Sequence, residues 1–362
     1  MDEVRLIKPY VDFDSVAQDF QQVFESGVFT RGPYVKQFAE NLGSYVGAKH
    51  CFLTTSATTA LWVCLKALNI KNGDDVAISD FSFPATANVV EDLGARPVFI
   101  DVNSSTFNMC VDDLMSKLTP QTKAVIFVDS FGNPSGQDDI KAVCEQRSLP
   151  LIEDAACAIG SLHNGKRCGN LSDLTCFSFH PRKLLCTGEG GAITTNNDRW
   201  AAWLEAKLTH GARISSNGSL DFSSYGYNFR MSELQAAMGI AQLKHLDEII
   251  LQRQQLRDSY TNALIPLGFK QQAIDAGCSH NIQSAVFKVP DHVNRNQLIE
   301  KLKQQAIETT IGTYCQSGLP YYKAKYQKVQ KNASKLQETT ITLPCYQAVP
   351  WEMVCEQIAK VV

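Results

Sequence analysis

Cys176-Phe177-Ser178-Phe179-His180-Pro181-Arg182-Lys183 runs through Leu184-Leu185-Cys186 into Thr187-Gly188-Glu189-Gly190-Gly191, and the reading of this chain turns on that stretch. An apolar and aromatic strand ends, a lysine follows on a turn, and a glycine cluster then lets backbone or a bulky ligand come close. Burial strips hydration from an ammonium group and favours its neutral form, which a lysine nucleophile requires. A lysine in a turn is also an ordinary surface charge, and this segment by itself leaves both readings open. The glycine run is not a nucleotide-binding P-loop, because no Gly-Lys-Ser/Thr follows it.

Upstream, short apolar runs alternate with helical patterns. Strands are expected at 51–54, 75–78, 97–101, 124–128, 149–152, 174–179 and 191–195. Leu61, Cys64, Leu65 and Leu68 fall on one helical face after the first, and a further helix spans about 137–147. Near-continuous apolar strands separated by helices imply an α/β fold with a mostly parallel sheet covered on both faces. Two strands lead into acids, Ile100-Asp101 and Ile152-Glu153-Asp154. Ligands in open α/β sheets bind at the carboxyl ends of strands, so residues there are the candidates. Downstream, one long helical pattern runs from Met231 to Leu256. A strand at 284–289, a helix at 294–305, a strand at 308–313 and a helix from 351 read as a smaller α+β domain. The expected division is a large domain at 1–245 and a small C-terminal domain at 246–362.

Composition narrows the class. A chain of 362 residues with 44% hydrophobic and 20% charged residues is an ordinary globular protein able to bury a large core. A net charge of -3 offers no case for nucleic acid or an anionic membrane. No apolar run reaches the length of a membrane span, and Met1-Asp2-Glu3-Val4-Arg5 lacks a signal-peptide pattern. None of the twelve cysteines forms a Cys-x-x-Cys pair, so no metal site is expected. Buried, reduced thiols point to the cytoplasm.

Several residues suit pyridoxal phosphate (PLP), the cofactor that a Schiff-base lysine would carry. PLP needs a carboxylate facing its ring nitrogen, and Asp154 at a strand end fits, though Asp there is also a common helix cap. Thr55-Ser56-Ala57-Thr58-Thr59 joins a strand to a helix, which suits either a phosphate site or simple capping. Ser178 offers a hydroxyl near Lys183. Phe83 offers an aromatic face for a planar ring or belongs to the core. Asn228 lies in a loop before Ser232, which is placed to cap the next helix.

Together these segments resemble the DegT/DnrJ/EryC1/StrS family of sugar aminotransferases. The resemblance rests on Gly32-Pro33, Thr55-Ser56-Ala57-Thr58, Phe83-Pro84-Ala85-Thr86-Ala87-Asn88, Phe131-Gly132-Asn133-Pro134, Ile152-Glu153-Asp154-Ala155-Ala156, the Phe177–Gly191 block, Gly226 to Ala237, and Leu343-Pro344. It implies a fold type I PLP enzyme in which Lys183 holds the cofactor covalently and moves protons. Asp154 would pair with the ring nitrogen and Phe83 would stack on the ring. Ala57, Thr58 and Ser178 would hold the phosphate, with Asn228 reaching it from the partner subunit of a homodimer. It further implies glutamate as amino donor and a nucleotide-linked keto sugar as acceptor. His180-Pro181 and the glycine block look more like members that aminate C4 of a 4-keto-6-deoxy sugar than those that aminate C3. The alternatives are a 3-keto aminotransferase, a PLP-dependent sugar dehydratase, whose relatives carry His at the lysine position, and a non-catalytic PLP-binding regulator.

The chain departs from the family pattern at four places. Cys157 stands where Gln is usual near the cofactor's ring hydroxyl, and Ala57 where Gly is frequent. Asp129 replaces a His before Phe131-Gly132. Thr313 to Pro320 lacks the His-Tyr-x-Pro-x-His pattern of a loop that approaches substrate in relatives.

Overall fold

The computed structural model describes residues 3–214, 219–222 and 224–362, so Met1 and Asp2 of the polar N-terminal stretch lie outside it. Its centre is a seven-stranded sheet ordered His50–Thr54, Gly191–Thr195, Leu174–Ser178, Leu151–Asp154, Thr122–Val128, Asp75–Ser79 and Arg96–Ile100. Gly191–Thr195 runs antiparallel to both neighbours, and the remaining pairs are parallel. Alternate residues of each strand feed opposite layers. Ile78, Ile126 and Ile152 pack with Leu61, Cys64 and Leu65 of helix Ala57–Ala67. Ala77, Val125, Phe127 and Leu151 pack on the other face with Leu114, Ile140 and Val143. Burial on both faces is why these strands read as continuous apolar runs.

A third cluster joins Phe38 and Leu42 of helix Pro33–Val46 to Phe177, Ala192 and Ala236. The helix Glu233–Leu243 crosses there at Gly239, where an added Cβ would lie 2.4 Å from the Phe38 ring. Ser232 caps this helix through Gln235, as its sequence position predicts. The long helical pattern is in fact two helices. After Leu243 the ladder breaks, His245 N–H bonds to the Gln242 carbonyl, and a second helix spans Leu246–Leu264. The turn redirects the chain: Leu246 and Ile250 join the large-sheet cluster, whereas Leu256, Tyr260 and Leu264 join a C-terminal one.

That C-terminal layer holds a four-stranded antiparallel sheet ordered Lys270–Gln271, Ala285–Lys288, Thr340–Leu343 and Thr310–Ile311. Helices Arg295–Gln304 and Trp351–Ala359 cover it. The strand expected over 308–313 shortens to Thr310–Ile311, because Gly312 bends toward Thr340 where a Cβ would come 2.4 Å from its hydroxyl. Val4, buried and bridged to Ile307, belongs to the same layer. All twelve cysteines are free thiols.

One buried carboxylate ties the start of helix Pro33–Val46 to the helix Glu233–Leu243. Glu233 is fully buried and accepts from the N–H groups of Gly32, Tyr34 and Val35 at 2.9, 2.8 and 3.1 Å. Those are donors that a helix start leaves without an intrahelical partner, and a negative charge also suits the positive end of the helix dipole. Glu233→Ala strands three donors and is expected to cost about 3 kcal/mol. Urea unfolding should show a lowered midpoint at unchanged m-value.

Candidate active site

Six strands of the large sheet end at one edge, and the antiparallel strand begins there. Register places Gly191 between Thr54 and Ser178. A Cβ at Gly191 would lie 2.5 Å from the Ser56 carbonyl carbon and 2.7 Å from Ala57 N. Glycine at this position therefore lets Ser178 and the start of helix Ala57–Ala67 share one cradle. Ser56 caps that helix, its hydroxyl accepting from Thr59 N at 3.1 Å. The N–H groups of Ala57 and Thr58 remain at the helix's positive end, which suits an anion. Capping and anion binding are thus compatible here.

Lys183 sits on a loop closed on itself. Phe179 N bonds to Gly190 O at 2.9 Å, Thr187 N to Phe179 O at 2.9 Å, and Lys183 N to His180 O at 2.8 Å. Gly190 has φ 153° and packs where a Cβ would lie 2.6 Å from Met231 Cε. Two buried glutamines that the sequence did not single out hold the loop from outside. Gln283 accepts from Leu184 N at 2.9 Å and donates to Arg182 O at 2.6 Å. Gln242 accepts from Cys186 N at 2.9 Å and donates to Cys186 O. Lys183 itself is half-buried, and its Nζ donates to Cys157 Sγ at 3.1 Å.

Asp154 is the last residue of its strand rather than the residue after it. It is 5% exposed. Its carboxylate accepts from Thr86 Oγ1 at 2.9 Å and Ala156 N at 3.2 Å. Burial raises its pKa above the usual carboxylate value, opposed by those donors and by the charge of Lys183. A carboxylate in this state gains from a cation placed before it. Behind it, Asp129, Glu153 and Cys168 are buried with their ligand atoms within 4.8 Å of one another. Glu153 has donors, Thr175 Oγ1 at 2.8 Å and Gly169 N at 3.2 Å. Burial and then the adjacent Glu153 push Asp129 well above the carboxylate range.

Phe83 is 65% exposed, with Tyr314 edge-on at 6.3 Å between ring centroids. It is an open aromatic face, not core. Tyr314–Cys315 pairs with Phe81–Ser82, and Asp80 secures the connection. Asp80 accepts from Ser317 N at 2.6 Å, Ser317 Oγ at 2.7 Å and Cys315 Sγ at 3.2 Å. Asn228 is exposed, bridges Thr209, and makes no hydrogen bond to Lys183, Asp154 or Ser178 among the described residues. The sheet edge thus gathers Ala57, Thr58, Asp154, Ser178 and Lys183 but not Asn228.

The sequence model of the DegT/DnrJ/EryC1/StrS aminotransferase family matches residues 13–362. The chain belongs to this family. It is similar to the spore coat polysaccharide biosynthesis protein SpsC of Bacillus subtilis, at 35% identity across 91% of this chain and 89% of that one. It is 33% identical to the UDP-2-acetamido-2-deoxy-3-oxo-D-glucuronate aminotransferase of Pseudomonas aeruginosa, across 82% of this chain and 81% of the relative. Among solved structures it resembles the aminotransferase TlmJ of Streptoalloteichus hindustanus, with TM-score 0.92, 26% identity and coverage of 98% and 97% of the two chains. The protein is a sugar aminotransferase and its cofactor is PLP. The site fits that group: a half-buried lysine, a buried carboxylate at a strand end, an open aromatic face and a helix-start cradle made possible by Gly191.

Burial places the Asp80 pKa at about 6, above the ordinary 3.8, against the pull of its Ser317 and Cys315 donors. A raised folded-state pKa means that the folded protein binds this proton more tightly than the unfolded chain. Asp80 therefore favours folding below pH 4, and that contribution is lost as pH rises through about 6, by about 3 kcal/mol. Asp80→Asn should remove this component. Urea midpoints measured from pH 4 to 7 should fall less steeply in the variant than in the wild type.

Proposed function

We propose that this enzyme transfers the amino group of glutamate to a nucleotide-linked 4-keto-6-deoxy sugar, for amino-sugar and surface-polysaccharide or glycan synthesis. The observation that carries the reading is half-buried Lys183 near enough to buried Asp154, at the carboxyl edge of the sheet, for its charge to act on that carboxylate, in a chain of this family. Bound at this edge, PLP supplies an electron sink for the carbon bearing the amine. The chain supplies the rest. Lys183 anchors the cofactor and carries protons between carbon and nitrogen. Asp154 stays ionised against the ring nitrogen because Thr86, Ala156 and the cation itself offset its burial. Phe83 covers one ring face. Ala57, Thr58 and Ser178 hold the phosphate, and Asn228, exposed on one subunit, reaches it in the partner of a homodimer. The enzyme works in the cytoplasm. Among the described residues no helix is long and apolar enough to cross a membrane. A large domain of residues 1–245 carries the cofactor, and 246–362 forms the small one.

The choice of C4 rests on His180-Pro181 and the Thr187 to Gly191 block. One observation favours C3: the Pseudomonas relative acts on a 3-oxo sugar. A dehydratase is disfavoured by Lys183, and a non-catalytic regulator by the joint presence of Lys183, Asp154 and Asn228.

A panel of UDP-, dTDP- and GDP-linked 4-keto and 3-keto sugars, incubated with glutamate, tests the reading. Glutamate-dependent amine formation is expected with a 4-keto-6-deoxy substrate. Exclusive turnover of 3-keto sugars reverses the carbon assignment. Lys183→Ala should lower conversion by about 10³-fold or more, since it removes both anchor and proton carrier. Asp154→Asn should lower kcat by about 10²–10³-fold, the scale of losing one preorganised electrostatic partner. Full turnover by Lys183→Ala would end this assignment.

A further inference from the structure

Among the described residues, the Lys183 amine has one hydrogen-bond partner, the Cys157 sulfur at 3.1 Å. Both ends of this contact are anchored independently. The Cys157 carbonyl accepts from Asn281 Nδ2 at 2.9 Å, and the same amide donates to Ile159 O at 2.8 Å. Gly132, at φ +100°, lets that carbonyl approach, since a Cβ there would lie 2.6 Å from it. On the other side, Gln283 and Gln242 fix the loop that carries Lys183. Two separately fixed loops thus deliver sulfur and nitrogen to bonding distance.

We propose that Cys157 is a positioning residue for Lys183, its thiol and the lysine amine sharing a proton so that Nζ stays oriented through changes of protonation. The proposal rests on the assignment of Lys183 as cofactor anchor. An ammonium donates to sulfur, and a thiol S–H donates to a neutral amine, so a single S···N bond serves either state. Glutamine, usual in this family at the position, cannot exchange a proton in this way. The charged or titratable groups that face the pair are few. Asp154 comes from the strand before Cys157, Asp129 from the neighbouring strand end, and His180 and Arg182 from the lysine's own turn. Gln283 and Gln242, from the packed elements, are neutral. Burial and the adjacent Glu153 raise Asp129 well above the usual carboxylate range, and the charge of Lys183 acts on Asp154.

The test reads the lysine–cofactor bond directly. The visible absorbance band of PLP-loaded wild type, Cys157→Ala and Cys157→Gln is titrated against pH, alongside kcat and KM. Cys157→Ala should move the apparent proton dissociation constant by about threefold or more. It should also lower kcat by about tenfold, a modest part of what acid–base catalysis supplies, with KM for the keto sugar unchanged. Cys157→Gln should recover kcat but not the wild-type midpoint. A second measurement uses wild type alone. Iodoacetamide labelling of Cys157, followed by peptide mass spectrometry, should slow by about tenfold on PLP loading. Labelling of half-buried Cys51 and Cys278 should not change. A Cys157→Ala enzyme with wild-type midpoint and kcat, or Cys157 labelling indifferent to PLP, overturns the proposal. A wild type without any lysine-bound band instead overturns the assignment of Lys183.

Discussion

The site depends on keeping a lysine half-buried beside a buried carboxylate without letting the two drift apart. A turn that carries Lys183 has backbone groups that neither sheet nor helix satisfies, and buried groups of that kind must be paired. Gln283 and Gln242 do this from opposite sides, each giving and accepting one bond with the loop. Gln242 belongs to the helix whose first residue, Glu233, caps the N-terminal helix at Pro33. The contact is therefore continuous from Gly32 to the lysine. Two motifs far apart in sequence, around Gly32-Pro33 and around Ser232-Glu233, meet in space for this reason.

The acids at the strand ends divide into separate tasks by what donates to them. Asp101 accepts from Asn332 N and Ala333 N, each at 3.0 Å, and so holds the start of helix Lys331–Thr339. Asp80 holds the 315–317 segment. Both tie the C-terminal layer to the large sheet. Asp129 and Glu153 form a buried pair that keeps a proton, since two adjacent carboxylates cannot both ionise cheaply without water. Asp154 alone combines burial, two hydrogen-bond donors and a nearby amine, each of the last two favouring its charged form.

Much of this was legible in the sequence, for physical reasons that also mark where legibility stopped. Strands buried on both faces announce themselves as apolar runs, and Leu61, Cys64 and Leu65 give the helical period. Strand order is not local information, so the insertion of an antiparallel strand at Gly191–Thr195 was not readable. The value of Gly191 appears only when Thr54, Ser178 and Ala57 are brought around it. Ile100-Asp101 and Ile152-Glu153-Asp154 look alike in the sequence, yet only the second faces the lysine. Polar residues in apolar surroundings, Gln242 and Gln283, gave no motif. For Gln242 the only signal was an amide between apolar Ala241 and Leu243. The helical period from Met231 to Leu256 concealed the break at His245, because both halves keep an apolar face and merely direct it to different cores.

The C-terminal loop at 313–320 follows the same logic. Its family counterpart carries histidines toward substrate, whereas here Cys315, Gln316 and Ser317 are buried. Gln316 donates to Ser79 O at 2.8 Å and accepts from Ala87 N at 3.2 Å, and Ser317 binds Asp80. Side chains committed to the sheet edge cannot also meet a sugar. Tyr314, at 38% exposure, stays open and edge-on to Phe83. The loop thus keeps its place by latching to the strand end through Gln316 and Ser317. Phe83 and Tyr314 therefore present exposed aromatic rings at this edge, while the polar side chains of the segment are spent on the strand ends.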